Sequence, residues 1–329
     1  SCNYIKDTNY LLVSLEQYLG KTFPNNLQSK TLGLVSNGRP LILQDANGLV
    51  HKSSKITIGW QNIPLESPKT FVRKVIGPFS SFESAQRISN LLDQDGIENT
   101  IAHPSDWEIW VSEEIDLPKG LKFTLFEKKV LHQIKPVLKL ASGSFLLSGD
   151  IEIFSPDGLL WKGGLYSGPF FLKPDAYGTW TLIEKVSIEK YLLGVLPHEI
   201  GRNSPIAALS AQAVLARTWA IANSHRFEID GYHLCSDTQC QVYRDPSQAN
   251  TEVALAISNT KTKVLKWKGK PINAVYHATN GGVSAGSDEA WSMRSLPYLK
   301  TFLDGSSRWK NQFTIPLLDK SNLKRLLFK

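Results

Sequence analysis

The clearest candidate for chemistry in this sequence is a carboxylate, Glu199, which follows a short apolar helical segment closed by Pro197. Proline closes a helix because it cannot donate the next backbone hydrogen bond. A carboxyl group just beyond such an end, among apolar neighbours, is partly desolvated, and this favours the protonated form that a general acid needs. An isolated glutamate is more often a solvated surface residue. The prediction of Glu199 as an acid therefore depends on the elements around it.

A strong helix is predicted after Glu199, over residues 206–223, with Ser204 as its cap and Pro205 as its first helical residue. Arg217 lies on nearly the same helix face as a row of apolar residues and must find a partner. Two roles are open: a helix clamp paired with a nearby carboxylate, or a cleft residue that holds Glu199 or grips substrate. The predicted buried face consists of Ile206, Leu209, Ala213, Ala216 and Ala220.

The segments around these helices have strand and turn character. Residues 122–182 alternate short strands with glycine turns, and residues 1–66 do the same. Between them the order is strand, helix, strand, strand, with the helix at 82–92. We predict an α+β fold in which a β-rich frame holds an inserted helical active-site segment. The predicted domains are a β-rich N-terminal region at 1–66, a small βαββ unit at 67–115 and a C-terminal domain at 120–329.

The order of motifs in the second half resembles the SpoIID/LytB family. Five motifs occur in the order that the family has. They are the acid motif at 196–200, the helix motif at 207–220, the central loop at 235–243, the segment at 276–282, and the pair at 287–291 and 296–299. Three positions depart from the family pattern: Ile200 replaces Met, Trp219 replaces Tyr and Ser210 replaces a common Lys.

The resemblance implies that Glu199 is the catalytic acid and that further residues contact substrate. The implied substrate-binding residues are Gln212, Arg217, Tyr276, His277, Gly281 and Gly282. For the last three a plainer reading is also open, because the glycines permit a tight turn after a strand and His277 could be a packed core residue.

The central loop holds Cys235 and Cys240, whose spacing permits a small disulfide or a metal clip. Some members of the family hold zinc here. In this sequence Gln239 occupies a position where a ligand histidine can occur, which leaves His233 or His225 as substitutes. Structural zinc needs four ligands. We therefore predict a disulfide or free thiols in preference to zinc, and no other cofactor.

Residues 67–115 also resemble a SPOR domain, because a strand leads into Gly77-Pro78-Phe79 and then into a helix. The resemblance implies binding to glycan strands stripped of their stem peptides. A plain βαββ unit remains the alternative.

Together these resemblances imply a lytic transglycosylase that cleaves peptidoglycan between MurNAc and GlcNAc and leaves 1,6-anhydro-MurNAc ends. The alternative is a non-catalytic activator of an N-acetylmuramoyl-L-alanine amidase, which the loss of the family lysine at Ser210 leaves open. A wall-binding scaffold is the third hypothesis. The expected partners are glycan strands, denuded or not, and a cell-wall amidase.

Composition excludes several other classes. The net charge of +7 is spread along the chain without a basic run, so a nucleic-acid arm is not expected. No apolar stretch approaches the roughly 18 residues that cross a bilayer. The first residues are Ser-Cys, for which we weigh trimming against a lipoprotein modified at Cys2. We expect the protein outside the cytoplasm, in the periplasm or cell envelope.

Overall fold

The structure is a computed structural model that describes residues 10–21, 30–290 and 295–305 of the 329-residue chain. The described residues form two compact units, divided between Val275 and Tyr276. Cys2 and Trp291 lie outside the described residues. The predicted α+β class is confirmed, because the described residues combine two large antiparallel sheets with α-helices.

The strands of the first unit, in chain order, are β1 (Tyr10–Leu19), β2 (Leu32–Ser36), β3 (Leu41–Gln44), β4 (Val50–Ser53), β5 (Lys55–Phe79), β6 (Thr100–Ala102), β7 (Trp107–Ser112), β8 (Thr124–Leu140), β9 (Gly143–Leu146), β10 (Ile151–Phe154), β11 (Leu159–Trp161), β12 (Gly164–Tyr166), β13 (Phe170–Pro174), β14 (Trp180–Ser187), β15 (Lys266–Trp267) and β16 (Lys270–Pro271). Its α-helices are α1 (Phe82–Gln94), α2 (Ile188–Leu196), α3 (Ile206–Ala222) and α4 (Thr251–Asn259). The second unit contains β17 (Val283–Ser284), α5 (Ser287–Ala290) and β18 (Phe302–Leu303).

In both large sheets, strands from the first 79 residues pair with strands that come after residue 120, as β1 does with β14 and β2 with β11. The six-stranded sheet has the order β1-β14-β13-β10-β3-β4. The eight-stranded sheet has the order β12-β11-β2-β5-β7-β6, with β8 between β5 and β9. Strand β2 shows the period-two burial expected of a strand: Leu32 and Leu34 are buried, whereas Gly33 and Val35, which alternate with them, are exposed. Strand β5 runs without a break past residue 66, where sequence patterns predicted a domain boundary.

The predicted strand–helix–strand–strand order is present in the end of β5, α1, β6 and β7. Ser81 caps α1, because its hydroxyl accepts a hydrogen bond from the backbone N–H of Ser84 at 3.2 Å. Leu91, one of the apolar positions that indicated this helix, is 48% exposed. The unit shares its core with the later chain, because Trp107 packs in one cluster with Phe227 and Cys235.

The helix predicted after Glu199 forms as α3, but three details of the prediction are wrong: Ser204 is not its cap, Pro205 is not its first helical residue, and Ile206 is not buried. The cap is Pro205, and the Ser204 hydroxyl instead donates to the carbonyl oxygen of Ile200 at 2.6 Å. The Ser204 hydroxyl therefore satisfies a backbone acceptor of the preceding turn and does not cap α3. Ile206 is 43% exposed because it lies at the open end of the helix. The rest of the predicted face is fully buried: Leu209, Ala213, Ala216 and Ala220.

No helix among residues 10–21, 30–290 and 295–305 has the length and apolar character needed to cross a bilayer.

A buried carboxylate connects the βαββ unit to the frame. Asp230 is 3% exposed, and its two oxygens accept hydrogen bonds from the Ala176 N–H at 3.1 Å and the Tyr177 hydroxyl at 2.8 Å. The Tyr177 hydroxyl oxygen in turn accepts the N–H of His103 at 2.7 Å. Burial raises the pKa of Asp230 to about 6, although these hydrogen bonds oppose the shift.

We expect Asp230 to make the fold less stable as the pH rises from 4 to 6. A raised folded-state pKa means that the folded chain binds more protons than the unfolded chain in this window. The free energy of unfolding then falls with pH, by at most about 1.4 kcal/mol per pH unit from this one group. Asp230→Asn cannot titrate, so its melting temperature should fall less between pH 4 and pH 6 than that of the parent. Parallel melting curves for parent and variant would contradict the assignment.

Candidate active site around Glu199

Glu199 lies in a single π-helical turn, Pro197–Gly201, between α2 and α3. Its side chain is half-buried, and its Oε1 accepts a hydrogen bond from the backbone N–H of Val242 at 2.8 Å. A π turn between two helices is frequently found at functional sites. One carboxylate oxygen is therefore held by a backbone donor whose direction is set by the central loop.

The central loop is closed by a disulfide between Cys235 and Cys240, whose Cα atoms are 5.7 Å apart. Of the alternatives weighed from the sequence, the structure contains the disulfide. The two histidines considered as zinc ligands have other contacts: His233 Nδ1 accepts the N–H of Leu12 at 3.0 Å, and His225 Nε2 lies 2.7 Å from the Gln86 amide nitrogen. Among the described residues no group of three His, Cys, Asp or Glu side chains could hold a metal ion.

We expect the disulfide to support the position of Val242, which is two residues beyond Cys240. Cys235→Ser/Cys240→Ser should lower the free energy of unfolding by about 2 kcal/mol, since the bridge closes a short loop in the unfolded chain. It should also lower any Glu199-dependent activity more than this loss of stability accounts for. The two quantities are measured by thermal melting and by assay well below the melting temperature. Zinc bound tightly at one ion per chain, with the cysteines reduced, would overturn the disulfide assignment.

Tyr243 anchors the end of the loop in the core. It is 1% exposed, and its hydroxyl donates to Glu184 Oε2 at 2.8 Å. Glu184 is fully buried and also accepts the N–H groups of Ser167 and Gly168 at 3.1 and 3.0 Å. Burial raises the pKa of Glu184, against the opposing effect of these three hydrogen bonds.

Gly194 in α2 leaves the space in which the end of the central loop packs against this helix. A Cβ at Gly194 would lie 2.5 Å from the Tyr243 ring and 2.9 Å from the carbonyl oxygen of Arg244. The Gly194 carbonyl itself accepts the N–H of Arg244 at 3.1 Å. A side chain here would displace the loop that holds Glu199.

Arg217 forms a buried clamp inside the helical cluster. Its side chain is 2% exposed and pairs with both Glu189 oxygens, through Nε at 2.9 Å and Nη2 at 2.7 Å. Further bonds reach the carbonyl oxygens of Ala213, Lys263 and Ile257 at 3.2–3.4 Å. These contacts correspond to the first of its two predicted roles, the helix clamp. Its implied role in substrate binding stays a prediction.

Gln212 is 6% exposed on α3, and its Nε2 has no hydrogen-bond partner within the described part of the chain. Nearby on the helix, the carbonyl oxygen of Ala216 accepts the amide of Gln241 at 3.3 Å. Gln212 is predicted to contact substrate, but its side chain is nearly buried, so substrate would have to reach the small part that is exposed.

The remaining predicted residues belong to the second unit. Gly281 and Gly282 have φ values of 63° and 95°, so the prediction of a tight glycine turn is confirmed. His277 is exposed, so the prediction of a packed core histidine is wrong, and Tyr276 is half-buried. That these residues form a cleft wall facing Glu199 stays a prediction.

Two grooves border the segment that carries Glu199. One, of about 630 Å³, is lined by Pro197, His198, Ile200 and the residues up to Pro205. The other, of about 640 Å³, is lined by His198, by the loop residues Ser236 and Asp237, and by parts of β1, β11 and β12. His198 and Gln248 line both grooves. Glu199 itself lines neither groove, but its neighbours His198 and Ile200 do, so the half-buried carboxylate lies next to surface that an extended polymer could occupy.

Comparison with known proteins identifies the region that contains this site. Residues 176–267 match the sequence profile of the SpoIID family, described as stage II sporulation protein. The chain carries a SpoIID-family region. The predicted resemblance to the SpoIID/LytB family is thereby confirmed, and the matched range includes Glu199, Arg217 and the disulfide loop.

Relatives of the SpoIID region cover only part of this chain. An uncharacterized protein of Brachyspira hyodysenteriae is 33% identical over 149 residues, which is 44% of this chain and 39% of that protein. The amidase enhancer of Bacillus subtilis is 36% identical over 135 residues, 40% of this chain and 18% of the enhancer. Stage II sporulation protein D of Bacillus amyloliquefaciens is 32% identical over 135 residues, 36% of this chain and 39% of that protein. The chain therefore spans well under half the length of these relatives.

Sequence reasoning missed several residues that shape the SpoIID-type site, although the signals were present. Glu184 falls on the inward face of β14, between Leu182 and Val186, where a carboxylate must have buried partners. Glu189 stands in the first turn of α2, where it could be expected to approach α3. The pairing of Glu83 with Arg226, 143 residues later, has no local signal.

Proposed function

We propose that this chain is a lytic transglycosylase that cleaves peptidoglycan glycan strands between MurNAc and GlcNAc, with Glu199 as its acid and base. The observation that carries the proposal is the placement of Glu199. It lies inside the SpoIID-family region, half-buried, with one oxygen held by the Val242 N–H, and its neighbours His198 and Ile200 line adjacent grooves. The protein acts outside the cytoplasm, where this polymer is found.

The proposed reaction needs a single carboxyl group. Protonated Glu199 donates its proton to the oxygen that bridges MurNAc and GlcNAc, and the bond from MurNAc C1 to that oxygen breaks. The resulting carboxylate then accepts the proton of the MurNAc C6 hydroxyl as that oxygen bonds to C1. The products are a GlcNAc end and a 1,6-anhydro-MurNAc end, and Glu199 is protonated again. The nucleophile belongs to the substrate, which explains how one carboxylate can suffice where glycosidases usually need two.

The test is a digest of purified sacculi, intact and amidase-treated, with the parental protein. The soluble products are separated by chromatography and identified by mass, because an anhydro end lacks one water relative to a hydrolytic end. Anhydro-muropeptides are the expected products. Their absence from both kinds of sacculi, with folded protein, contradicts the proposal.

A second candidate function is activation of an amidase. It is favoured by the 36% identity to a protein named amidase enhancer and by Ser210, which stands where family members commonly carry lysine. In this role the chain binds glycan without cutting it. A co-incubation with a cell-wall amidase, with release of stem peptides as the readout, separates the two roles: an activator raises amide cleavage and produces no anhydro ends.

In the proposed function, the βαββ unit is a second element that contacts the cell wall. Its similarity to a SPOR domain favours binding to denuded glycan. Its packing against Phe227 and Cys235 links that binding to the region that carries the disulfide loop. Glycan strands and an amidase are the partners that this proposal requires.

A further inference from the structure

The 640 Å³ groove beside His198 is built largely by residues outside the family region. Strand β1 supplies Glu16 and Tyr18, and the turn between β11 and β12 supplies Trp161 and Lys162. The opposite wall, from the family region, includes Asp237 and Arg244. The substrate specificity of such a groove depends on this chain's own residues as well as on those shared with relatives.

Most charged groups in the groove are already bonded to protein partners. The Lys162 ammonium pairs with the Glu16 carboxylate. Asp245 accepts hydrogen bonds from the Leu165 N–H at 3.0 Å, the Ser247 hydroxyl at 2.6 Å and the Gln248 amide at 3.0 Å. Because protein partners already satisfy these charged groups, they add little electrostatic attraction for a ligand.

Arg244 differs from them. Its side chain is exposed in the groove wall and forms no ion pair with any carboxylate of the described residues. Its backbone is fixed, because its N–H donates to the Gly194 carbonyl at 3.1 Å and the preceding Tyr243 is buried. A guanidinium on a fixed backbone in a groove has the planar pair of donors that suits a carboxylate.

Two other groups in the groove suit a sugar. Trp161 is half-buried in the groove wall, with the Lys162 ammonium 5.6 Å from its ring centroid, and the apolar face of a pyranose ring can pack on the part of the ring that Lys162 leaves open. Asp237 uses Oδ1 to accept the Gln239 N–H at 2.9 Å, which leaves its second oxygen able to accept from sugar hydroxyls. The groove thus combines a stacking surface, a hydroxyl acceptor and an unpaired cation.

We propose that this groove binds the muramyl sugar and that Arg244 recognises the carboxylate on its 3-O substituent. The inference rests on the proposed function, because it names the part of the glycan that the site next to Glu199 selects. In peptidoglycan that carboxylate belongs to the lactyl group of a denuded strand or to the stem peptide of an intact one. A polymer of GlcNAc alone has no such carboxylate and therefore binds this groove more weakly.

The test measures binding of the full chain to three soluble sugars by titration calorimetry at low salt. The probes are the disaccharide GlcNAc–MurNAc, the same disaccharide carrying L-Ala–D-Glu, and N,N′-diacetylchitobiose. None contains the MurNAc–GlcNAc bond, so binding is read without turnover and independently of whether the chain cleaves glycan. The parent should bind a muramyl probe about tenfold more tightly than chitobiose, the range of an exposed charge-assisted pair. The tighter of the two muramyl probes identifies the source of the carboxylate.

Arg244→Ala should bring the affinities for all three probes within about twofold of one another, and Arg244→Lys should keep part of the preference. The matched control is Arg39→Ala, which removes an exposed arginine that pairs with Asp157 and lines neither groove, and it should keep the full preference. Equal binding of chitobiose and muramyl probes by the parent overturns the proposal, as does a preference retained by Arg244→Ala. Absence of anhydro ends in a sacculus digest bears on the proposed function alone.

Discussion

Glu199→Gln is expected to abolish release of anhydro-muropeptides while the protein remains folded. The amide oxygen can still accept the Val242 N–H, now 2.8 Å from Glu199 Oε1, so the side chain keeps its position. The amide cannot deliver a proton to the bridging oxygen. Loss of one general acid costs about a hundredfold to ten-thousandfold in rate, and a digest would register this as near silence. The measurement is the rate of anhydro-end formation, beside a melting curve.

The matched control is Glu228→Gln, which makes the same change at an exposed glutamate of the same unit. It should digest sacculi at the parental rate. Parental activity in Glu199→Gln would place the acid elsewhere. Asp237, which lines the groove beside His198, and Glu289 are then the next candidates. Glu289 already accepts the Gly286 N–H at 2.9 Å and the Thr301 hydroxyl at 2.5 Å, which favours a structural role for it.

Local features of this fold could be predicted because they depend on neighbouring residues. The helix around Arg217 and the βαββ order both follow from short patterns. Strand pairing could not be predicted in the same way. Alternation shows which residues of β1 face the core, but the partner of Tyr10 is Ser187, far along the chain.

The same limit applies to the candidate site. The position of Glu199 after Pro197 pointed to an acid, yet the donor that fixes it, the Val242 N–H, is 43 residues away. The pairing of Cys235 with Cys240 could not be predicted with certainty either, because it depends on a loop conformation that brings their Cα atoms to 5.7 Å. Sequence patterns pointed to candidate reactive groups, whereas long-range contacts determine the surroundings of those groups.

Arg217→Ala is expected to destabilise the protein by about 3 kcal/mol, because it leaves Glu189 and three backbone carbonyls without their donor. The Glu189 side chain is 30% exposed, so water can solvate its carboxylate in part after Arg217 is removed. The loss of folding free energy should therefore lie toward the low end of the range for a broken buried ion pair. The measurement is chemical unfolding. At temperatures well below the transition, the variant should cut glycan at close to the parental rate, since the Arg217 side chain is only 2% exposed and offers little surface to a ligand.

Two further variants separate the clamp from a substrate role. Arg217→Lys keeps the charge but loses the two-point contact with Glu189, and it should recover only part of the stability. Glu189→Gln keeps a hydrogen-bond acceptor for the guanidinium and should cost less than Arg217→Ala, although it removes the opposite charge. If Arg217→Ala instead unfolds like the parent while its glycan affinity falls, the guanidinium contacts substrate, and the cleft role implied by the family resemblance is correct. A loss of stability without loss of affinity assigns Arg217 to holding α2, α3 and α4 together around Glu199.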